Sequence, residues 1–218
     1  QPLASVGRNG SAHRLPRLFR SPRKVAFPKQ TQELIRSELF GIERLEQHAE
    51  SLAAAQQVTA NPNKGRRLDR RLKENERALL EAYRGIEKAV REERHITPAA
   101  EWLLDNFYVA QEQIRQVRDD LPRGFYRGLP KLLDGPLKGY PRVFGIAWAF
   151  VAHTDSRIDR EMLLRFVTAY QRVQPLTIGE LWAVASAVRS VLIETLHRAA
   201  AGVAHSRNQP ALAAALAA

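Results

Sequence analysis

Apolar residues recur every three or four positions along most of this chain, and this spacing restricts the possible folds more than any other feature. Such a stripe covers one face of an α-helix, whereas a half-buried strand alternates strictly between apolar and polar residues. The chain shows neither convincing alternation of that kind nor a repeat of fixed length. The sequence therefore predicts an all-α fold, a bundle of about six or seven helices joined by short links.

Proline, glycine and asparagine clusters divide the periodic pattern into segments. The predicted helices cover residues 30–57, 66–94, 98–119, 125–133, 143–153, 157–172 and 178–200. We expect the first two to form a long antiparallel hairpin. The helix over 143–153 is apolar nearly all round and should lie in the middle of the bundle. Trp102 and Trp182 are predicted to face inward with their stripes.

Three helix starts carry capping signals. Thr97 precedes Pro98, a proline at the first helical position. Thr177 and Glu180 have the spacing of a capping box, in which each residue bonds a free backbone N–H group of the other. Asp155 or Ser156 is expected to cap the helix over 157–172.

Charge is distributed unevenly, and this suggests three regions. The net charge is +11, and residues 1–30 hold seven Arg or Lys and no Asp or Glu. We predict a flexible basic arm over 1–28, a helical domain over 29–201 and an Ala-rich tail over 202–218, either frayed or truncated. A second basic cluster at 64–73 either attracts phosphate or anionic lipid, or is simply a solvated helix start.

Several kinds of site are excluded or unsupported by composition and motifs. Cysteine is absent, so disulfides and thiolate metal sites are impossible. The six histidines form no ligand pair at helical spacing, and phosphate-loop, dinucleotide-binding and nucleophile-elbow motifs are missing. No apolar run is long enough to span a membrane. We therefore expect no catalytic residue, no metal and no cofactor in this chain.

One group of residues suggests ligand binding. Arginine and aromatic side chains gather around the loops that follow the third and fourth predicted helices, with three tryptophans potentially nearby. Such groups bind sugars by stacking and phosphates by paired hydrogen bonds. The alternative is that the tryptophans are core residues and the arginines pair with carboxylates. The candidate ligand-binding residues are Arg118, Arg123, Tyr126, Arg127, Tyr140, Arg142, His153 and Arg157.

Longer motifs between residues 85 and 196 point to a family. They read TPAAEWLLDNF at 97–107, RDDLPRGFY at 118–126, GYPRVFG at 139–145, AFVAHTDSR at 149–157 and YQRVQPLTIGELWA at 170–183. In this order they resemble the N-terminal region of the bacterial cyclic β-1,2-glucan synthases. The resemblance covers about residues 30–198.

The resemblance implies a large inner-membrane protein that polymerises glucose from UDP-glucose into cyclic β-1,2-glucan. Members of that family carry their transferase motifs downstream, among membrane spans, and none of those motifs occurs here. No catalytic residue is therefore carried over. The resemblance implies a scaffolding or regulatory domain on the cytoplasmic face of the bacterial inner membrane. Its partners would be the transferase and membrane domains of the same polypeptide, with glucan or anionic lipid as further candidates.

Two other interpretations remain open. A stand-alone basic helical module would bind nucleic acid or an anionic membrane surface, although nucleic acid is not the expected partner. An independent enzyme would use the arginine and aromatic residues, and would bind or turn over UDP-glucose. The first depends on the basic arm and the second on the candidate ligand-binding residues.

Overall fold

The computed structural model describes residues 38–59 and 65–206, with side chains described as far as residue 201. The predicted basic arm, the first predicted turns of the helix over 30–57 and the end of the tail lie outside the described residues. Within the described part, the chain forms seven helices and no strand, which confirms the all-α prediction. They are α1 (Ile42–Ala55), α2 (Leu68–Arg91), α3 (Pro98–Asp120), α4 (Arg123–Gly128), α5 (Arg142–His153), α6 (Arg160–Val173) and α7 (Ile178–Ser206).

Helix α7 is the axis of the fold because it packs against α5, α2 and α3. It thereby joins two hydrophobic cores. The first core takes residues from α1, α5, α6 and the first half of α7, where Ala183 and Val191 are buried. The second takes residues from α2, α3 and the second half of α7, where Ile193 and Ala200 are buried.

Helix α5 lies at the centre of the first core, as its apolar composition predicted. Ten of its residues are buried. Its neighbours approach so closely that a Cβ atom on Gly145 would lie 2.9 Å from Leu132 Cδ1 and 3.1 Å from Gln56 Nε2. Glycine is therefore required here by packing rather than by backbone conformation.

Two of the predicted caps form. The Thr97 hydroxyl oxygen accepts a hydrogen bond from the Ala100 N–H at 3.3 Å, with Pro98 in the first turn. At the start of α7, the Glu180 N–H donates to the Thr177 hydroxyl at 3.2 Å, while the Thr177 N–H donates to the Glu180 carboxylate at 2.9 Å. These reciprocal bonds confirm the capping box.

The predicted hairpin of the first two helices is wrong. Helix α1 packs mainly against α6, and α2 packs against α7 and α3. Helix α1 also begins later than the predicted helix over 30–57: its first residue is Ile42, and residues 38–41 are not helical. Phe40 instead donates its N–H to the His153 carbonyl at 3.2 Å and stacks on the His153 ring at a centroid distance of 4.0 Å. This tertiary contact replaces the helical conformation that local periodicity favoured.

Two further boundaries differ from the predictions. Asp159, not Asp155 or Ser156, caps α6 by accepting from the Met162 N–H at 2.8 Å. Asp155 and Ser156 have φ values of 49° and 62°, in the turn that follows α5. The short helix α4 begins at Arg123 and ends at Gly128, rather than covering 125–133.

Trp102 and Trp182 face outward, contrary to the prediction. Trp102 is 56% exposed and Trp182 is 76% exposed. Each lies one position before a residue that does face the core, Leu103 in α3 and Ala183 in α7. The buried stripe of α7 contains small residues such as Ala183, Ser186 and Ala187. Each tryptophan therefore lies one helical residue, about 100° of rotation, away from the buried stripe.

Candidate functional site

A cavity of about 470 Å³ opens where the start of α2 meets the end of α3, the helix α4 and Lys131. Six of its lining side chains are cationic and one, Asp69, is acidic. Its floor includes apolar residues such as Leu72 and Val117. The cationic lining residues are Arg67, Lys73, Arg118, Arg123, Arg127 and Lys131.

The local structure explains how these cations converge. Arg118 lies on the last turn of α3, which ends at Asp120 before the Leu121–Pro122 pair. Helix α4 then begins at once and carries Arg123 and Arg127 four positions apart, so both lie on one face. Contact with the start of α2 is fixed by Tyr126, whose hydroxyl donates to the Arg66 carbonyl at 2.6 Å.

Asp69 neutralises only part of this positive charge. Its carboxylate accepts two hydrogen bonds from Arg67, at 3.0 and 2.5 Å, and lies 3.9 Å from Arg123 Nη2. The hydrogen bonds and the charge of Arg67 hold the pKa of Asp69 below its usual value. Arg118 pairs with Glu76, outside the lining. Lys73 and Arg127 make no ion pair or side-chain hydrogen bond within the described ranges.

Lys131 is buried, with 2% of its surface exposed, and has no carboxylate partner among the described residues. Its ammonium group donates to the carbonyls of Tyr126 and Leu129, at 2.7 and 2.5 Å. It also lies 4.6 Å from the centroid of the Tyr126 ring. Burial lowers the pKa of Lys131 to about 8 and raises that of the Tyr126 hydroxyl. The amine is therefore close to half-protonated in mildly alkaline solution.

Four of the eight predicted ligand-binding residues line the cavity: Arg118, Arg123, Tyr126 and Arg127. The other four lie elsewhere. Tyr140 is buried in the first core, and His153 bonds the Glu38 carbonyl at 2.8 Å through Nδ1. Arg157 is exposed in the turn before α6, and Arg142 is buried in an ion pair.

The arginines that enter the core have carboxylate partners. Arg142 donates to Glu180 at 2.8 and 2.6 Å, and also to the Gln174 side chain and the Pro175 carbonyl. Arg71 donates to Glu194 at 2.8 and 2.9 Å. The alternative interpretation, in which arginines pair with carboxylates, is thus correct for Arg142 and Glu180. Of the tryptophans, only Trp148 is a core residue.

Arg71 and Glu194 belong to a larger buried cluster. Asn75 and Arg198 also donate to the Glu194 carboxylate, at 2.8 and 2.9 Å. Although burial alone would raise the pKa of Glu194, these bonds and the charge of Arg71 lower it to about 2. The carboxylate is therefore ionised at neutral pH. Because it accepts hydrogen bonds from Arg71, Asn75 and Arg198, its role is to stabilise the fold.

Sequence reasoning missed Arg67, Lys73 and Lys131 as members of the cavity. The basic cluster at 64–73 stands out in the sequence, but only as a separate feature. This basic cluster lies next to α4 because of contacts between remote positions, such as the hydrogen bond from Tyr126 to Arg66, 60 positions apart. No local sequence pattern predicts that Lys131 is buried, since a lone lysine in a loop segment is ordinarily exposed.

Metal sites and membrane spans are not found in the part of the chain that the structure describes. Within the described ranges, no group of three or more His, Cys, Asp or Glu side chains could hold a metal ion. In the same part of the chain, each helix is too short or too polar to cross a bilayer.

The fold and the cavity together define a basic, all-helical domain with a cation-lined recess. No protein-family profile matches the chain. It is, however, similar to a described protein, the cyclic beta-(1,2)-glucan synthase NdvB of Rhizobium meliloti (strain 1021), with 48% identity over 138 residues. The predicted resemblance to these synthases is thereby confirmed, and the chain is related to them.

The alignment covers 63% of this chain and 5% of NdvB. The chain thus spans a very small share of the relative's length, consistent with a short region such as an N-terminal one. The similarity does not itself assign a role to any residue of the cavity, whose binding function stays a prediction.

Proposed function

We propose that this chain is a non-catalytic helical domain of a cyclic β-1,2-glucan synthase-like glycosyltransferase. In this proposal it serves as a scaffold or regulator and uses no cofactor of its own, while a downstream part of the polypeptide polymerises glucose from UDP-glucose. The observation that carries the proposal is 48% identity over a stretch that amounts to only 5% of the relative.

The use of the charged residues supports a non-catalytic role. General acid–base catalysis needs a carboxylate or another titratable group that is free to exchange a proton with a substrate. Glu180 and Glu194 are buried in ion pairs with arginines, and Asp69 is held by Arg67. The Lys131 amine, another titratable group with a shifted pKa in the cavity, is engaged by two backbone carbonyls. Among the described residues that line the cavity, no pair of carboxylates faces a common space.

The proposed partners are the transferase and membrane domains of the same polypeptide, at the cytoplasmic face of the inner membrane. Ile178 and Trp182 support a contact of this kind. They are 70% and 76% exposed and lie one helical turn apart on α7, so they form an apolar strip on the outer surface. Glucan and anionic lipid remain further candidate partners.

A chimera tests the proposal. The stretch of NdvB that aligns with this chain is replaced by the chain's own residues, and cyclic glucan formation from UDP-glucose is measured in membranes. We expect glucan formation close to that of native NdvB, because the replaced domain only supports the transferase. A matched chimera carrying Glu194→Ala should lose glucan together with its accumulation in the membrane, because the domain no longer folds.

Two results would contradict the proposal. One is a chimera that accumulates normally and makes no glucan. The other is transfer or release of glucose from UDP-glucose by the purified 218-residue chain alone, which would show a catalytic site in this domain.

The second candidate is a stand-alone basic module for nucleic acid or an anionic membrane surface. The observation that favours it is the net charge of +11 together with the cation-lined cavity. Reading the gene past Ala218 separates the two candidates. Membrane spans and a transferase domain downstream support the synthase domain, and a stop codon close to that position supports the stand-alone module.

A further inference from the structure

The cavity beside α4 is lined by many more positive than negative side chains. Six cationic side chains and one carboxylate line about 470 Å³, a volume in the range of small-molecule sites. Like charges brought together in a concave surface repel each other, and the same geometry concentrates their field on an incoming anion. We propose that this cavity binds the phosphate group of a small phosphorylated ligand. The inference does not depend on the proposed relation to glucan synthesis.

The contrast with the rest of the domain supports this site. Where arginines enter the core, at Arg71 and Arg142, each is matched by a buried glutamate. In the cavity, Arg118 pairs with Glu76 and Asp69 is shared between Arg67 and Arg123. Within the described ranges, Lys73 and Arg127 have no acidic partner, and a ligand would supply the missing negative charge.

The donor chemistry favours phosphate over a neutral sugar. Guanidinium groups present paired N–H donors that match the oxygens of a phosphate, and four of the six cations are arginines. Sugar binding ordinarily needs a free aromatic face. Tyr126 is the one aromatic residue among the described lining, and Lys131 Nζ lies over its ring at 4.6 Å. Recognition in this cavity therefore depends on charge and hydrogen bonding rather than on stacking.

The positions of the cations suggest how a phosphate would be held. Arg123 and Arg127 lie one turn apart on α4 and approach from one wall. Lys73, in the second turn of α2, approaches from the opposite element. Lys131 adds a buried ammonium group whose carbonyl partners hold it in place. Phosphate oxygens would replace the missing carboxylates around Lys73 and Arg127.

The test is a titration of the full 218-residue chain with pyrophosphate, followed by calorimetry, for the native sequence and two double variants. Lys73→Gln/Arg127→Gln removes two cavity cations. Arg84→Gln/Arg160→Gln removes two exposed cations from elsewhere and changes the net charge equally. Arg84 lies about 16 Å along α2 from Lys73, at 1.5 Å per residue, and Arg160 begins α6.

We expect saturable one-to-one binding of pyrophosphate, a loss of at least about tenfold in affinity for the cavity variant, and a change below about twofold for the control variant. The basic arm is present in all three proteins and so cancels in the comparison. Equal losses in both variants would show only a general effect of net charge and would overturn the proposal.

A second arm distinguishes a soluble ligand from a lipid headgroup. Phosphatidylcholine vesicles with and without phosphatidic acid are mixed with the same three proteins, and sedimentation is measured. Binding that needs phosphatidic acid and is lost only in Lys73→Gln/Arg127→Gln would assign the site to a lipid phosphate. Absence of saturable binding to both pyrophosphate and these vesicles would refute a phosphate site.

Discussion

Arginine side chains occupy two opposite electrostatic environments in this domain. In the interior, Arg142 and Arg71 each meet a glutamate within 3 Å, and further polar groups complete the hydrogen bonds. In the cavity beside α4, Arg123 and Arg127 face solvent with little compensating negative charge. The difference teaches that the chain itself neutralises the arginines that it buries, whereas it leaves most of the charge on the exposed cavity arginines uncompensated; in the proposed role, a ligand would neutralise that charge.

The free-energy cost of removing a charge from water explains why the two regions differ. A charge removed from water loses several kcal/mol of hydration, and a buried arginine is tolerated only when a carboxylate and good hydrogen bonds replace it. An exposed arginine at the rim of a cavity keeps most of its hydration and needs no partner. The interior pairs should therefore dominate folding stability, and the exposed cavity cations without a partner among the described residues, Lys73 and Arg127, should hardly affect it.

The largest effect is expected for Glu180→Gln. Glutamine keeps an acceptor oxygen for the capping box but leaves the Arg142 charge buried without a counter-charge. Breaking a buried ion pair in this way costs about 3–5 kcal/mol of unfolding free energy. Urea unfolding of the native and variant chains measures the difference.

A double variant isolates the charge. Arg142→Met combined with Glu180→Gln removes both charges, so it should be more stable than Glu180→Gln alone by at least about 1 kcal/mol. If the unfolding free energy of Glu180→Gln lies within about 1 kcal/mol of the native value, the Arg142–Glu180 pair does not contribute the predicted stability.

The second effect concerns pH and Glu194, whose pKa is lowered from 4.5 to about 2. A carboxyl group with a depressed folded pKa adds stability above its unfolded pKa and loses it as pH falls toward the folded value. A tenfold change in an acid dissociation constant corresponds to about 1.36 kcal/mol. Given the size of this pKa shift, the unfolding free energy of the native chain should exceed that of Glu194→Gln by about 3 kcal/mol near neutral pH. That advantage should shrink as pH falls from about 5 toward about 2.

Urea midpoints of both chains, taken at a series of pH values across this window, check the prediction. The same series with Asp155→Asn, a change at an exposed turn residue, provides the control, whose unfolding free energy should stay within about 0.5 kcal/mol of the native value. A gap between native and Glu194→Gln that stays constant over the whole window would show that the carboxylate does not titrate with folding.

The comparison also shows what the sequence could predict. The helical class, the central position of α5 and the capping box at Thr177 all follow from patterns within one turn or one stripe, so local reasoning found them. The partners of the interior arginines are remote: Arg71 and Glu194 are 123 positions apart. Nothing local separates Arg71, which is buried, from Arg67 four positions earlier, which lines the cavity.

The cavity was half predicted for the same reason. Arg118, Arg123, Tyr126 and Arg127 are close in sequence and fall into one group. Arg142 and Tyr140 were grouped with them because they are also near the loops, but α5 begins at Arg142, directly after Pro141, and carries Arg142 into the core. Lys73 and Lys131 come from segments that only folding brings together.

A smaller effect tests how the interior pair is connected to the helix start. The Glu180 oxygen that receives Arg142 also accepts hydrogen bonds from the Thr177 N–H and hydroxyl. Replacing a capping threonine by alanine costs about 1 kcal/mol. We expect Thr177→Ala to cost at least as much as Thr97→Ala, whose hydroxyl serves a cap without an ion pair. Thermal unfolding of both variants ranks their stabilities. A lower cost for Thr177→Ala would show that the cap does not support the Arg142–Glu180 ion pair.

The smallest effect is expected for Arg127→Gln, in the cavity. Exposed substitutions without a partner ordinarily change the unfolding free energy by less than about 0.5 kcal/mol. Here the sign should be stabilising at low salt, because removing one cation relieves repulsion with Arg123 and Lys73. The gain should disappear between about 0.01 M and about 1 M salt, as the screening length falls from about 30 Å to about 3 Å. Urea midpoints at the two salt concentrations measure it, with Arg84→Gln as the control outside the cavity. A marked loss of stability in Arg127→Gln at both concentrations would mean that this arginine has a structural role, and the division between interior and cavity charges would fail.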